Sequence, residues 1–194
     1  MVSRFLLLLA FPAAAQAAEL NGVTLEDRVR VDGQEIQLNG IAVRTRYQFF
    51  KVYVAGLYLP QKTATPGDAI DGSGAKRISL TMVRDATAEQ FVESIEHGLR
   101  ANNSEAQLAE VKPQVDALFA KIRAVREAKE GLRIVLDYAP SSRSTTLFVD
   151  GAAQGGPMSG EAFFRALLRI WLGERPAEPE LKRMLLRQEV NGKE

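Results

Sequence analysis

Few side chains in this sequence are placed to do chemistry, and the most suggestive is Arg44. It lies within the stretch Leu38–Pro60, LNGIAVRTRYQFFKVYVAGLYLP, where Tyr, Phe and Val recur and Tyr53 stands nine positions beyond the arginine. A guanidinium presents a planar fork of donors that meets a carboxylate at two points, and a phenol can add another donor. Arg44 could instead be one half of a buried ion pair, a purely structural role. An odd separation on a straight strand puts two side chains on opposite faces. Arg44 and Tyr53 therefore converge only if the chain bends or bulges around Arg46 to Gln48.

The residues of common catalytic sites are sparse. There is one histidine, His97, and no cysteine. A serine hydrolase needs a nucleophile beside a histidine, and Gly156-Pro157-Met158-Ser159-Gly160 has the wrong spacing for a nucleophile elbow. One imidazole without thiols makes a poor zinc site, so no metal or other cofactor is expected. His97 could still be the axial ligand of a haem-like macrocycle, although a partly exposed helix residue is the simpler reading. Glu89, Glu93 and Glu96 recur at helical spacing and read as a solvated face. Gly72-Ser73-Gly74 and Gly155-Gly156 lack the G-x-G-x-x-G pattern of a dinucleotide loop and read as turns. Trp171 with Phe163, Phe164, Leu167 and Leu168 forms an apolar stripe that either lines a ligand pocket or buries one helix against a sheet.

The elements that must position these residues follow from periodicity. Val23 to Leu38 alternates around Asp32-Gly33 as a β-hairpin, and Asn39-Gly40 is a second turn signal. Ile41 to Leu59 reads as extended and covered on both faces, and Pro60 to Ala75 as a loop. Lys76 to Arg84 alternates as a strand. Thr87-Ala88-Glu89-Gln90 is a capping box opening a helix through Phe91, Val92, Ile95 and Leu99. A second box, Ser104 to Gln107, opens another helix that Pro113 either kinks or restarts, with Gly131 as its expected cap. Leu132–Ala139 and Ser144–Val149 read as a strand pair. Ser159 is the expected cap of a helix that stops at Gly173, and Glu180 to Arg187 a short closing helix. Strands, helices, strands and helices in that order predict an α+β fold, an antiparallel sheet with helices on one face.

Arg4, the apolar run Phe5 to Phe11 and the small-x-small site Ala15-Gln16-Ala17 have the order of a secretory signal peptide. Cleavage after Ala17 predicts a periplasmic protein whose single domain is residues 18–194. No later segment is long and apolar enough to span a membrane. The formal charge is +1, and 0 without Arg4. With no basic excess to hold phosphate backbones or anionic lipid, nucleic acid is excluded as a partner.

The stretch around Arg44 and the strand Lys51-Val52-Tyr53-Val54-Ala55-Gly56-Leu57-Tyr58-Leu59 resemble the G-V-R-type segment and the K-F-T-A-I-G-V-Y-L-like strand of the chalcone isomerase fold. The end pattern recurs at Gly160 to Gly173, GEAFFRALLRIWLG, and at Lys182 to Leu186. From about Leu38 to Leu186 the chain is similar to the exported bacterial branch of the chalcone isomerase-like group. That resemblance implies an open-faced β-sandwich, a large antiparallel sheet covered on one side by helices with a ligand cleft between them.

The plant isomerases use an arginine, a strand threonine, a helix tyrosine and asparagine, and a late hydroxyl. By resemblance these positions fall at Arg44, Tyr53, Thr87, Ser94 and Ala166, and only the arginine is kept. The branch that binds fatty acids keeps the arginine and carries a tyrosine in the strand, as here. The resemblance thus implies no catalytic residues and a non-catalytic, periplasmic binding protein for a fatty acid or similar carboxylate. Arg44 and Tyr53 would stand at the polar end of the ligand, with Thr87, Ser94 and Ala166 as the other candidate positions. The alternatives are an intramolecular lyase of the chalcone isomerase type and a tetrapyrrole binder in which Arg44 pairs with a propionate.

Overall fold

Alternating apolar and polar residues build a sheet, and helical repeats cover one of its faces. The computed structural model describes residues 17–47 and 49–188. The expected leader, apart from Ala17, lies outside them, as does Gln48. The chain starts with β1 (Ala17–Leu20), β2 (Val23–Glu26), β3 (Arg28–Val31), β4 (Gln34–Arg46) and β5 (Phe50–Leu59), then α1 (Pro66–Asp71) and β6 (Lys76–Met82). The helical middle is β7 (Ala86–Thr87), α2 (Ala88–Asn102), α3 (Glu105–Glu110), α4 (Lys112–Val125) and β8 (Glu127–Ala128). The chain closes with β9 (Arg133–Ala139), β10 (Ser144–Val149), β11 (Ala152–Ala153), β12 (Met158–Ser159), α5 (Glu161–Leu172) and α6 (Pro179–Leu185).

The main sheet runs β11-β10-β9-β6-β5-β4-β3, with β12 beside β10, and its pairings are antiparallel. Helices pack on one face, so the α+β architecture agrees with the alternation and helical periods of the sequence. The principal core joins the odd-numbered side chains of β5, Tyr53, Ala55, Leu57 and Leu59, to the buried faces of α2, α4 and α5. α5 is the most apolar helix, burying Phe163, Phe164, Leu167, Leu168 and Trp171 among others. α2 lies against it closely enough that a Cβ on Gly98 would come within 2.7 Å of Ile170. On the opposite face the β1–β2 hairpin covers Tyr58 with Leu25, beside Val31, Ile36, Leu38 and Ala75. Both faces of β5 are therefore covered, as its unbroken apolar run requires.

Five local expectations are corrected. Val23–Glu26 pairs with Ala17–Leu20 and not within the Asp32-Gly33 hairpin, whose strands are β3 and β4. Asn39-Gly40 does not turn the chain. It sits inside β4 at a register irregularity, where the Asn39 side chain donates to the carbonyls of Thr63 and Leu185 and accepts from Thr63 N–H. The expected 60–75 loop contains α1, capped by the Thr65 hydroxyl, which accepts from Asp68 N–H. Gly131 caps no helix: α4 ends at Val125, Arg126 takes the positive φ of 66°, and Gly131 turns the chain into β9. Ser159 belongs to β12, and Gly160 is the residue that starts α5, without a side-chain cap. Pro113 marks the beginning of a new helix, α4, where its missing N–H costs nothing.

Candidate functional site

The extended run from Ile41 to Leu59 is two strands and not one. β4 ends at Arg46, Tyr47 takes a φ of 52°, and β5 returns beside β4 from Phe50. Arg44 pairs directly with Tyr53 across this hairpin. Directly opposed residues of an antiparallel pair share a face whatever their separation in sequence, so the odd spacing of nine is no obstacle. The irregularity lies next to them: Thr45 pairs with Lys51, which leaves Val52 as the extra residue of a bulge.

Arg44 is held at its far end by the segment that leads into α6. Its Nη1 donates to the Ala177 carbonyl at 2.5 Å and lies 3.6 Å from the Glu178 carboxylate. The nearer partner of Glu178 is the backbone, since its Oε2 accepts from Thr45 N–H at 2.8 Å. The ion pair is a loose one. The Arg44 guanidinium also lies close enough to the Tyr53 hydroxyl to act on it as a hydrogen-bond partner, and its bonds to backbone carbonyls run through Nη1.

Tyr53 is 6 % exposed. Its hydroxyl accepts from the Trp171 indole N–H at 2.9 Å, while its own proton is available to donate. Burial pushes the phenol up from its ordinary range, with the Trp171 bond and the Arg44 charge opposing. Tyr53 therefore remains a neutral donor at physiological pH.

The two residues line a cleft of about 570 Å³ between the β4–β5 hairpin, the 84–86 segment that follows β6 and the exposed flank of α2. That volume is in the range of small-molecule sites. Val52 and Phe91 give it apolar wall. Arg46, Arg84 and His97 stand around it with Asp85 and Glu93, while Gln90, Ser94 and His97 occupy successive turns of α2. Phe91 also borders a separate apolar hollow of about 20 Å³ beneath α2 and α4, which has room for no more than a water.

The structure brings Arg44, Tyr53 and Ser94 together around this cleft and leaves the other two candidate positions outside its lining. Thr87 is taken up by the capping box of α2: its hydroxyl accepts from Gln90 N–H at 3.2 Å and its N–H donates to Gln90 Oε1 at 3.0 Å. Ala166 is buried inside α5, and its carbonyl accepts from Asn103. The Trp171 stripe is core, and Trp171 touches the site only through its bond to Tyr53. Arg46, Arg84 and Gln90 were missed by sequence reasoning. The helical spacing of Gln90, Ser94 and His97 was a usable signal for one polar wall, whereas nothing local marks Arg84.

Comparison with known proteins agrees with this architecture. A family model described as chalcone isomerase-like matches residues 17–187. None of the curated proteins matches the sequence. A solved structure of an Arabidopsis thaliana fatty-acid binding protein superposes with a TM-score of 0.68 at 14 % identity, covering 89 % of this chain and 97 % of its own. At that identity the likeness concerns the fold.

Proposed function

This chain belongs to the chalcone isomerase-like family, and from that premise we propose that it is a non-catalytic binding protein for a small amphipathic carboxylate such as a fatty acid. One observation carries the reading: Arg44 and Tyr53 are cross-strand neighbours in a cleft with apolar wall, where a donor fork and a neutral phenol face the same space. A carboxylate would accept from Arg44 and from the Tyr53 hydroxyl where both line the cleft, with the ligand's apolar part along Val52 and Phe91. Reaching deeper would require Phe91 to move. The name of the structural neighbour, a fatty-acid binding protein, supports this ligand class.

The distribution of polar groups supports binding over cyclisation. Isomerisation of a chalcone needs positioned groups around a developing negative charge. Here Thr87 is committed to capping α2, and Ala166 carries no hydroxyl. From the order of basic residue, apolar run and small-x-small site within residues 1–17, we place the protein in the periplasm after removal of that segment.

Titration of a fatty acid and its methyl ester into wild type and Arg44→Ala tests the assignment. A hydrogen bond to a charged group contributes ~1.5–3 kcal/mol, and about 1.4 kcal/mol is a factor of ten. The acid should bind Arg44→Ala roughly tenfold to a hundredfold more weakly, and the ester should hardly distinguish the proteins. Equal binding of acid and ester by wild type, or wild-type affinity in a folded Arg44→Ala, removes Arg44 as the anchor.

A further inference from the structure

The tip of the β4–β5 hairpin leaves its aromatic side chains in solvent. Tyr47, Phe49 and Phe50 are 72 %, 81 % and 52 % exposed, and they are the exposed large hydrophobics among the described residues. A scattered apolar residue at a surface needs no explanation, but a cluster at one turn marks an interaction site. Cations surround these rings. The Arg46 guanidinium lies 5.1 Å from the centre of the Tyr47 ring, and that of Arg84 lies 5.1 Å from the centre of the Phe50 ring. Neither arginine forms an ion pair with the described residues, while Lys51 donates to the neutral side chain of Asn21. Of the nearby acids, Asp85 is engaged by Lys129 and by Glu130 N–H, and Glu93 stands on α2.

Aromatic rings interleaved with unpaired cations suit the headgroup region of a bilayer, where rings lodge at the interface and each cation gains from anionic lipid. The zero formal charge of residues 18–194 conceals this local concentration. A second copy of the same tip is a poorer occupant, because a twofold contact would bring like arginines together. Arg46, Tyr47, Phe50 and Arg84 also line the cleft. We propose that this tip docks peripherally on an anionic lipid bilayer and seats the cleft mouth against it, so that an amphipathic ligand passes between membrane and cleft without crossing bulk water. No helix among the described residues is long and apolar enough to cross the bilayer. Docking stands on the tip alone, whereas the passage of ligand rests on the carboxylate-binding reading above.

Phe49 separates the two, since it is the most exposed of the rings and does not line the cleft. The test is flotation of the protein with vesicles of phosphatidylcholine alone and of phosphatidylcholine mixed with phosphatidylglycerol, alongside titration of a fatty acid without vesicles. Wild type should float with the mixed vesicles, prefer them to phosphatidylcholine, and release as salt is raised. Phe49→Ser should lower vesicle partition about tenfold, as expected for partial burial of one aromatic side chain, and should leave fatty-acid titration unchanged. Partition that is indifferent to lipid charge or to Phe49→Ser overturns docking, as does a wild type that ignores both vesicles, including one that self-associates through the tip. Vesicle binding without fatty-acid binding upholds docking and overturns ligand passage. Fatty-acid binding without vesicle binding does the reverse for docking.

Discussion

At the scale of single residues, Tyr53 has two duties that pull on different measurements. Its oxygen is the acceptor for the buried Trp171 indole, and its proton is offered to the cleft. Tyr53→Phe removes both at once. An orphaned buried donor costs about 1–3 kcal/mol, whereas one neutral hydrogen bond to a ligand contributes ~0.5–1.5 kcal/mol. The variant should therefore lose more stability in urea unfolding than affinity in a fatty-acid titration. An affinity loss larger than the stability loss would mean that Tyr53 holds the ligand more strongly than one neutral bond allows. Arg44→Lys should restore only part of what Arg44→Ala loses, because an ammonium cannot reproduce the fork. The Arg44 guanidinium also donates to the Ala177 carbonyl, so its removal loosens the approach to α6 as well as the site.

At the scale of elements, the junction of β4 and α6 decides whether Arg44 is held in place. Gly40 allows α6 to lie directly on the strand, since a Cβ there would collide with the backbone carbonyls of Met184 and Leu185. Backbone atoms cannot yield as a flexible side chain does. Gly40→Ala should destabilise the protein by about 1–3 kcal/mol, the usual cost of overpacking, measured as a lower urea midpoint with unchanged slope. Displacing α6 also moves Glu178 and Ala177, the two partners of Arg44 from that segment. Carboxylate affinity should therefore change as well, though by less than in Arg44→Ala. A variant as stable as wild type would show that α6 is not pressed on β4. Asn39, the neighbouring residue, ties the same helix through Leu185 and the 61–65 segment through Thr63. One Asn-Gly pair thus anchors two distant segments.

At the scale of the whole molecule, one buried cation shapes the dependence of stability on pH. Lys76 is 2 % exposed and donates to the Ile70 carbonyl at 2.7 Å. Burial pushes its ammonium down to about 8 from an ordinary 10.5, assisted by Arg165 and opposed by Glu161 and Asp71. Below about pH 8 the amine is charged in both the folded and the unfolded chain, and its burial penalty is constant. Above that the unfolded chain holds the extra proton, so stability rises with pH toward 10.5, by up to about 3 kcal/mol. Tyr58 acts in the opposite sense but later. Burial pushes it up to about 12, so its contribution is present below its ordinary 10.0 and is lost above that. Between about pH 8 and 10 the slope should belong largely to Lys76, and Lys76→Met should flatten it in urea unfolding measured across that window. A slope that survives Lys76→Met assigns the effect elsewhere.

Features whose causes are local are legible in the sequence. Alternation sets β6, β9 and β10, the Asp32-Gly33 pair sets the β3–β4 turn, the boxes at Thr87 and Ser104 start α2 and α3, and the apolar stripe of α5 requires burial. Each depends on residues within a turn or two of one another, so each is written in a short window. The remaining features depend on long-range packing. Asn39-Gly40 reads as a turn until Leu185, 146 positions away, accepts the asparagine's proton. Arg44 and Tyr53 look opposed until the hairpin register places them side by side, and the acceptor role of Tyr53 exists only because Trp171 arrives from α5. The cleft draws its walls from two stretches of chain, 44–53 and 84–97, about thirty residues apart. Register and long-range hydrogen bonds are chosen by partners distant in sequence, and no local period encodes which partners those will be.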